Sequence, residues 1–364
     1  MKLWQIVALV LAGVAYDLIQ PGALTYAFGH ATLYVLLPAL LFEASWNLRY
    51  RAMVRSWRAI VTLAVPGVVL TALLIAGALA VVQVPLRIGL LTGAILSATD
   101  PIAVIAVFRR LRVPALLSTI VESESLFNDA VAVALYRAVL LVVLSASVEA
   151  SDVVRISLIA IAGAAGGIAI GVALAFFVAA LLRNRGSVRL QIVATIVCAY
   201  ATYFVADYLH CSGIFATIAG GIALRWFERR WISLRVAEDV NRFWDVGALV
   251  ANALVFFLVG AALDVVIVVR DPGFVIATLV GVALARVAVS ALLLPGGYPR
   301  EWLDVIRIAG IRGALSLALA IALPANVPQR DAIIAATFAV ALATIISSTF
   351  TVPAVVARTV RARK

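Results

Sequence analysis

The feature that most constrains this chain is the recurrence of apolar runs about 20 residues long, separated by short polar breaks. A bilayer core about 30 Å thick takes roughly 20 apolar residues per helical crossing. Backbone amides inside that core have no water to bond, so each run must close its hydrogen bonds within itself as a helix. About twelve runs are present, near 3–20, 31–47, 57–81, 88–107, 115–145, 154–182, 189–208, 211–226, 242–268, 273–294, 302–324 and 331–357. The predicted fold class is therefore an all-α polytopic membrane protein. Composition agrees, with 65% of residues hydrophobic and 13% charged, far from the usage of soluble domains.

A formal net charge of +11 on a soluble chain would invite a nucleic-acid partner. Here the positions of the charges give a different reason. With the N-terminus inside, the cytoplasmic segments hold Lys2, the arginines 49, 51, 55 and 58, then 109, 110 and 112, then 183, 185 and 189. They also hold the arginines from Arg225 to Arg242, then Arg300, and finally Arg358 to Lys364. The outer segments hold only Arg87, Arg155, Arg270 and Arg330. This is the positive-inside asymmetry, and one missed or invented span would reverse every later loop and erase it. Both termini are thus placed in the cytoplasm of a prokaryotic inner membrane, with membrane lipid as the partner and no nucleic acid.

Cys198 and Cys211 lack CxxC or Cys/His ligand spacing, so neither a structural disulfide nor a zinc site is expected. His30 and His210 stand apart at outer span ends, which argues against a metal site built on histidine. The first run ends in Tyr16-Asp17-Leu18, a poor cleavage site, and reads as a retained span rather than a signal peptide. The stretch from Trp226 to Asn241 reads as an interfacial amphipathic connection or a plain loop.

An ionisable side chain near the bilayer centre costs several kcal/mol, so it needs a partner or a task. Asp100, Glu124, Asp129 and Arg312 are so placed. Pro101 follows Asp100, removes a backbone donor and frees a carbonyl in the preceding turn. Freed carbonyls beside a carboxylate, with Thr99 adding its own oxygens, suit a hard cation. In Glu124-Ser125-Leu126-Phe127-Asn128-Asp129, the pairs Ser125/Asp129 and Glu124/Asn128 are i,i+4 neighbours on adjacent helix edges. Asp129 and Ser125 are predicted to face Asp100, while Glu124 is predicted to pair with Arg312 as a structural ion pair. Glu43 either lines an ion path or reaches water at the cytoplasmic edge, and Arg286 is similarly open. Asp245 and Asn252 line a funnel or cap a helix end.

The run carrying Thr99-Asp100-Pro101 and the run carrying Gly310-Ile311-Arg312-Gly313 are read as crossing in opposite directions, one in each half, each with its breaker and charge near mid-depth. That is the pattern of inverted repeats whose interrupted helices meet at a site. The chain is treated as one transmembrane transporter domain, 1–364, with repeat one about 1–147, a linker helix about 154–182 and repeat two about 189–360.

At these residues the sequence resembles the electroneutral sodium/proton antiporters of the monovalent cation:proton antiporter superfamily, the branch marked by an Asn-Asp pair. The resemblance runs from about Leu36 to Ala357 and is carried by Ser97-Ala98-Thr99-Asp100-Pro101, by Glu124 to Asp129 and by Gly310-Ile311-Arg312-Gly313-Ala314-Leu315-Ser316. Leu36 to Glu43 and His210-Cys211-Ser212-Gly213 add weaker support. It implies cation ligation by Asp100, Asp129, Ser125 and the Thr99 backbone, two unwound crossing helices, a Glu124 to Arg312 pair, and a homodimer with elevator-like alternating access. It implies no cofactor and no enzymatic activity, with Na+ and H+ as the exchanged substrates. Asn128, neutral where electrogenic relatives carry a second Asp, implies electroneutral exchange. The family commonly has thirteen spans, so either the first family helix, which contributes to the dimer contact, is missing here or the true start codon lies upstream. A K+/H+ exchanger, a transport-inactive scaffold and an intramembrane enzyme are the alternatives; the last lacks an HExxH or a Ser/His dyad at matched depth.

Overall fold

The computed structural model describes residues 3–20, 32–111, 113–145, 150–183, 187–231, 234–261, 270–294 and 296–361. Lys2, His30, Arg112, Arg185, Arg363 and Lys364, the end of the ninth run and the Ile232-Ser233 step of the Trp226 to Asn241 connection lie outside the described residues.

The described residues are helical and contain no strand, as the apolar runs dictate. The helices are α1 (Leu3–Ile19), α2 (Leu37–Asn47, entered through a π-helical turn), α3 (Tyr50–Arg55), α4 (Trp57–Val81), α5 (Leu86–Ser97), α6 (Ile102–Leu111), α7 (Ala115–Leu144) and α8 (Ala150–Leu182). They continue with α9 (Val188–Tyr208), α10 (Gly213–Trp231), α11 (Leu234–Ala261), α12 (Pro272–Leu293), α13 (Arg300–Ile308), α14 (Ala314–Ile321) and α15 (Arg330–Arg361). Seven described helices, α4, α7, α8, α9, α11, α12 and α15, are long and apolar enough to cross a membrane. Other expected crossings are built from shorter pieces, above all α5 with α6 and α13 with α14. The Trp226 to Asn241 connection is helical on both sides of its undescribed step: α10 runs to Trp231 and α11 starts at Leu234. Asp245 therefore sits inside α11 rather than at a helix end.

The helices fall into two compact units. One gathers Met1–Thr32, Arg51–Ser147 and Val255–Lys364; the other gathers Leu33–Tyr50 and Val148–Leu254. In the first unit α4 packs against α5, α7 and α12. Leu63, Ala64, Val68, Ala72 and Ile75 face inward, while Val61, Val65, Val69 and Leu73, four residues apart, are exposed. A helix apolar all round can offer one face to protein and the other to acyl chains. Lipid is as apolar as leucine, so close van der Waals packing must hold such helices together. Gly93 supplies it: a Cβ there would overlap the Ala72 backbone of α4.

The same unit contains one order twice: a long helix, a broken one, a long one. It reads α4, α5/α6, α7 and again α12, α13/α14, α15. The first break spans Ala98–Pro101 and the second Ala309–Gly313, and they meet in an antiparallel bridge between Asp100 and Ile311, the Asp100 N–H donating to the Ile311 carbonyl at 2.8 Å. The second unit is α8, α9, α10 and α2 packed together, around Phe42, Trp46, Cys198, Leu224 and Trp244.

Candidate ion-binding site at the crossed helix breaks

The site grows out of a backbone problem. Breaking two helices inside a membrane strands carbonyls that would cost several kcal/mol each if left bare. Arg312, in the second break, answers the first break: its Nη1 donates to the carbonyls of Ser97 and Ala98, each at 3.1 Å. Its own amide donates to Thr344 Oγ1 at 3.1 Å, and Ser316 Oγ donates to the Ala98 carbonyl at 3.4 Å. Asp100 closes the other side, its Oδ1 accepting from the Ile102 amide at 2.9 Å as an N-cap of α6. An anionic cap suits the positive end of the helix dipole.

α7 lies alongside. Ser125 Oγ donates to the Thr99 carbonyl, so it accepts from Thr99 Oγ1 at 2.9 Å. Thr99 Oγ1 in turn accepts from Asn128 Nδ2 at 3.3 Å, and the same Nδ2 reaches Glu124 Oε1 at 3.4 Å. Asp129 stands in electrostatic reach of both Asp100 and Arg312, with the Thr99 amide directed at its carboxylate. Both aspartates are half-buried, whereas Thr99, Glu124, Ser125, Asn128 and Arg312 are buried. Among the described residues, Asp129 Oδ1 and Asn128 Oδ1 are buried without a hydrogen-bond partner, and so are Nε and Nη2 of Arg312.

Asp100, Thr99, Pro101, Ser125, Asn128, Asp129, Glu124 and Arg312 are thus brought together in one unit. One pairing differs from expectation. Glu124 forms its ion pair with Arg286 of α12, Nη1 to Oε1 at 3.1 Å, and not with Arg312. Arg286 also donates through Nε to the Arg307 carbonyl at 3.3 Å and through Nη2 to the Ile306 carbonyl, tying the last turn of α13 to α7. The reason is azimuth: Arg312 is turned toward the orphaned carbonyls of the first break, which leaves Glu124 to the arginine behind it. Glu43 belongs to the second unit, half-buried, with Asn47 Nδ2 donating to its carboxylate at 2.7 Å. Gly313 forms a wall of the site: a Cβ on it would run into the Asp100 side chain.

A polytopic helical membrane protein with two antiparallel helix breaks lined by carboxylates belongs to the class of secondary transporters with discontinuous helices. The sodium/hydrogen exchanger transmembrane profile matches residues 2–358, and the chain belongs to that family. The Na(+)/H(+) antiporter NhaH of Halobacillus dabanensis is 28% identical over 356 residues, which is 93% of this chain and 88% of the relative. The Na(+)/H(+) antiporter ApNhaP of Aphanothece halophytica is 31% identical over 333 residues, 89% of this chain and 64% of the relative. Among solved structures, the sodium proton antiporter MjNhaP1 from Methanocaldococcus jannaschii at pH 8 superposes with a TM-score of 0.80 at 21% identity, covering 94% of this chain and 92% of that one. That likeness is one of fold.

Proposed function

We propose that this chain exchanges sodium for protons across a prokaryotic plasma membrane, one cation against one proton, at a site made by Asp100, Asp129, Ser125 and Thr99. The observation that carries the proposal is the cluster of oxygens at the crossed breaks, with Asp129 Oδ1 and Asn128 Oδ1 buried and, among the described residues, unpartnered beside Asp100 and the Thr99–Ser125 pair. A carboxylate removed from water is stable when it holds a proton or a cation and poorly stable bare. The same oxygens therefore serve both ligands in turn. Two facing carboxylates titrate as a pair, so proton and cation compete for the pair rather than for one residue.

Charge balance supports the stoichiometry. Glu124 and Arg286 cancel as an ion pair. Arg312 remains as a fixed cation within reach of Asp129, and Asp129 is within reach of Asp100. Two carboxylates against one guanidinium leave one uncompensated negative charge, which a single H+ or a single Na+ neutralises. Exchange is accordingly electroneutral.

Purified protein in vesicles loaded with a pH-sensitive dye tests this. A sodium jump is expected to move protons without building a membrane potential; a potential-sensitive dye that responds in step with the pH signal would contradict one-for-one exchange. Jumps of potassium and lithium in the same vesicles measure selectivity. A milder test is Gly313→Ala. The Gly313 backbone is extended, which alanine tolerates, so the added methyl acts by pushing on Asp100. Small misplacements at a preorganised site cost up to about 100-fold, and a loss of cation affinity on the order of tenfold or more is expected, together with about 1–3 kcal/mol of stability lost to the overlap. Unaltered affinity would place Asp100 outside the cation site.

A further inference from the structure

A second buried acid lies in the other unit and takes no part in the site above. Glu228 sits near the arginine-rich end of α10, past the apolar run that ends near Trp226, and is 3% exposed. Among the described residues, neither of its carboxylate oxygens has a hydrogen-bond partner. A buried carboxylate so placed carries the full cost of lost hydration unless it is neutral.

Its surroundings explain why, among the described residues, it forms no ion pair. Among the described residues, the ionisable groups in electrostatic reach are Arg225, one turn back on α10, and Cys198 on α9. Arg225 is engaged elsewhere, its guanidinium lying 4.8 Å from the centre of the Trp46 ring of α2. Trp46 is fully buried, donates through Nε1 to Asn241 Oδ1 at 2.8 Å and stacks on Phe42. Glu43, the acid of α2, accepts from Asn47 on its own helix. Around this end of α10 the cluster is completed by Ala175 and Ala179 of α8 and by Val240 and Trp244 of α11, none of them ionisable.

We propose that Glu228 is a second proton-binding site, separate from Asp100 and Asp129, whose ionisation loosens the Trp46 cluster at the arginine-rich end of α10. Protonated, it is a neutral group tolerated in an apolar cluster. When the proton leaves to water, the carboxylate must draw in water or take Arg225 from the Trp46 ring; either move breaks the packing of α10 on α2 and α9. Burial pushes the Glu228 carboxyl up from an ordinary 4.5 to about 8, with Arg225 opposing. A raised carboxylate value means the closed packing holds a proton that the opened form releases. Closure is therefore favoured in full at acid pH and loses ground as pH rises toward 8.

Cys198, fully buried in the same cluster, reports the opening independently of transport. With Cys211→Ser as background, alkylation of Cys198 by iodoacetamide is followed from pH 6 to 9 in lipid nanodiscs, with and without Glu228→Gln. The ratio of the two rates, the chain that keeps Glu228 over the Glu228→Gln variant, is expected to rise about tenfold per pH unit up to about pH 8 and then level. Charge alone predicts the reverse order, since removing a carboxylate beside a thiol favours the thiolate. A ratio independent of pH, or a faster Glu228→Gln variant, overturns the proposal. Should that variant fold poorly, amide hydrogen exchange of residues 222–231 in the unsubstituted chain decides: protection factors that fall over the same pH range support it, and factors that stay constant overturn it.

Discussion

Asp129→Asn is expected to abolish cation-driven proton movement while leaving a folded protein. Asparagine keeps the shape of the side chain, so the packing of α7 against the first helix break is preserved. What it removes is the charge. With Asp129 neutral, Asp100 and Arg312 balance each other and a cation entering the site no longer cancels a negative charge. Two unit charges 4 Å apart interact by about 4 kcal/mol at an effective dielectric of 20, so the loss in cation affinity is roughly a thousandfold. The measurement is a sodium jump on dye-loaded vesicles containing equal amounts of the two proteins, with the thermal unfolding midpoint as a control for folding. Exchange at the normal rate by Asp129→Asn would remove this residue from the mechanism.

Arg286→Met is expected to be the most destabilising of the single changes at the site. It leaves Glu124, whose side chain is 3% exposed, as a buried charge without its partner, and strips the carbonyls of Ile306 and Arg307 of a donor. Breaking a buried ion pair from one side costs about 3–5 kcal/mol, enough to lower folded yield sharply. Replacing both partners, Glu124→Gln with Arg286→Met, restores part of that loss because no unpaired charge remains. The same cycle run with Arg312→Met in place of Arg286→Met is expected to show weaker coupling to Glu124, since Arg312 feels its charge but makes no ion pair with it. Thermal unfolding in detergent gives both coupling energies. Coupling of Glu124 to Arg312 that exceeds its coupling to Arg286 would restore the pairing suggested by the sequence and refute the one drawn from the geometry.

The two predictions test different parts of one design. The helix breaks create carbonyls that need donors, and arginine is suited to the task because its planar fork reaches several acceptors at once and stays charged when buried. Arg312 serves the first break and Arg286 serves the helix that leads into the second. With the backbone satisfied, the remaining oxygens of Asp100 and Asp129 are the ones that the proposed function assigns to an exchangeable ligand. Glu228, by contrast, has no such donor among the described residues, which is why its chemistry is expected to be opening and closing rather than exchange.

Much of this arrangement was legible in the residues. Asp100 before Pro101, and Asp129 one turn after Ser125, stood out because charge within an apolar run is costly and seldom idle. The family followed from the motifs around those residues, and the fold match agrees with it. The partner of Glu124 was misread. Arg286 and Arg312 both lie in apolar runs of the second half, and depth alone does not separate them. Of the two readings of the connection after Trp226, the plain loop does not hold, since the helices on either side run past the apolar stretch into the arginine-rich sequence.

The chain's one-dimensional order fixed what the bilayer reads: which stretches are apolar enough to cross as helices, which of them are interrupted, and where charge is carried along them. The tertiary structure alone decided which way each side chain turns and which break it meets. Glu124 and Arg286 are 162 residues apart, and Asp100 reaches Ile311 through one backbone hydrogen bond. The physical reason is that depth follows from position along a helix, whereas azimuth is set only when helices distant in sequence pack and each stranded polar group competes for the nearest donor.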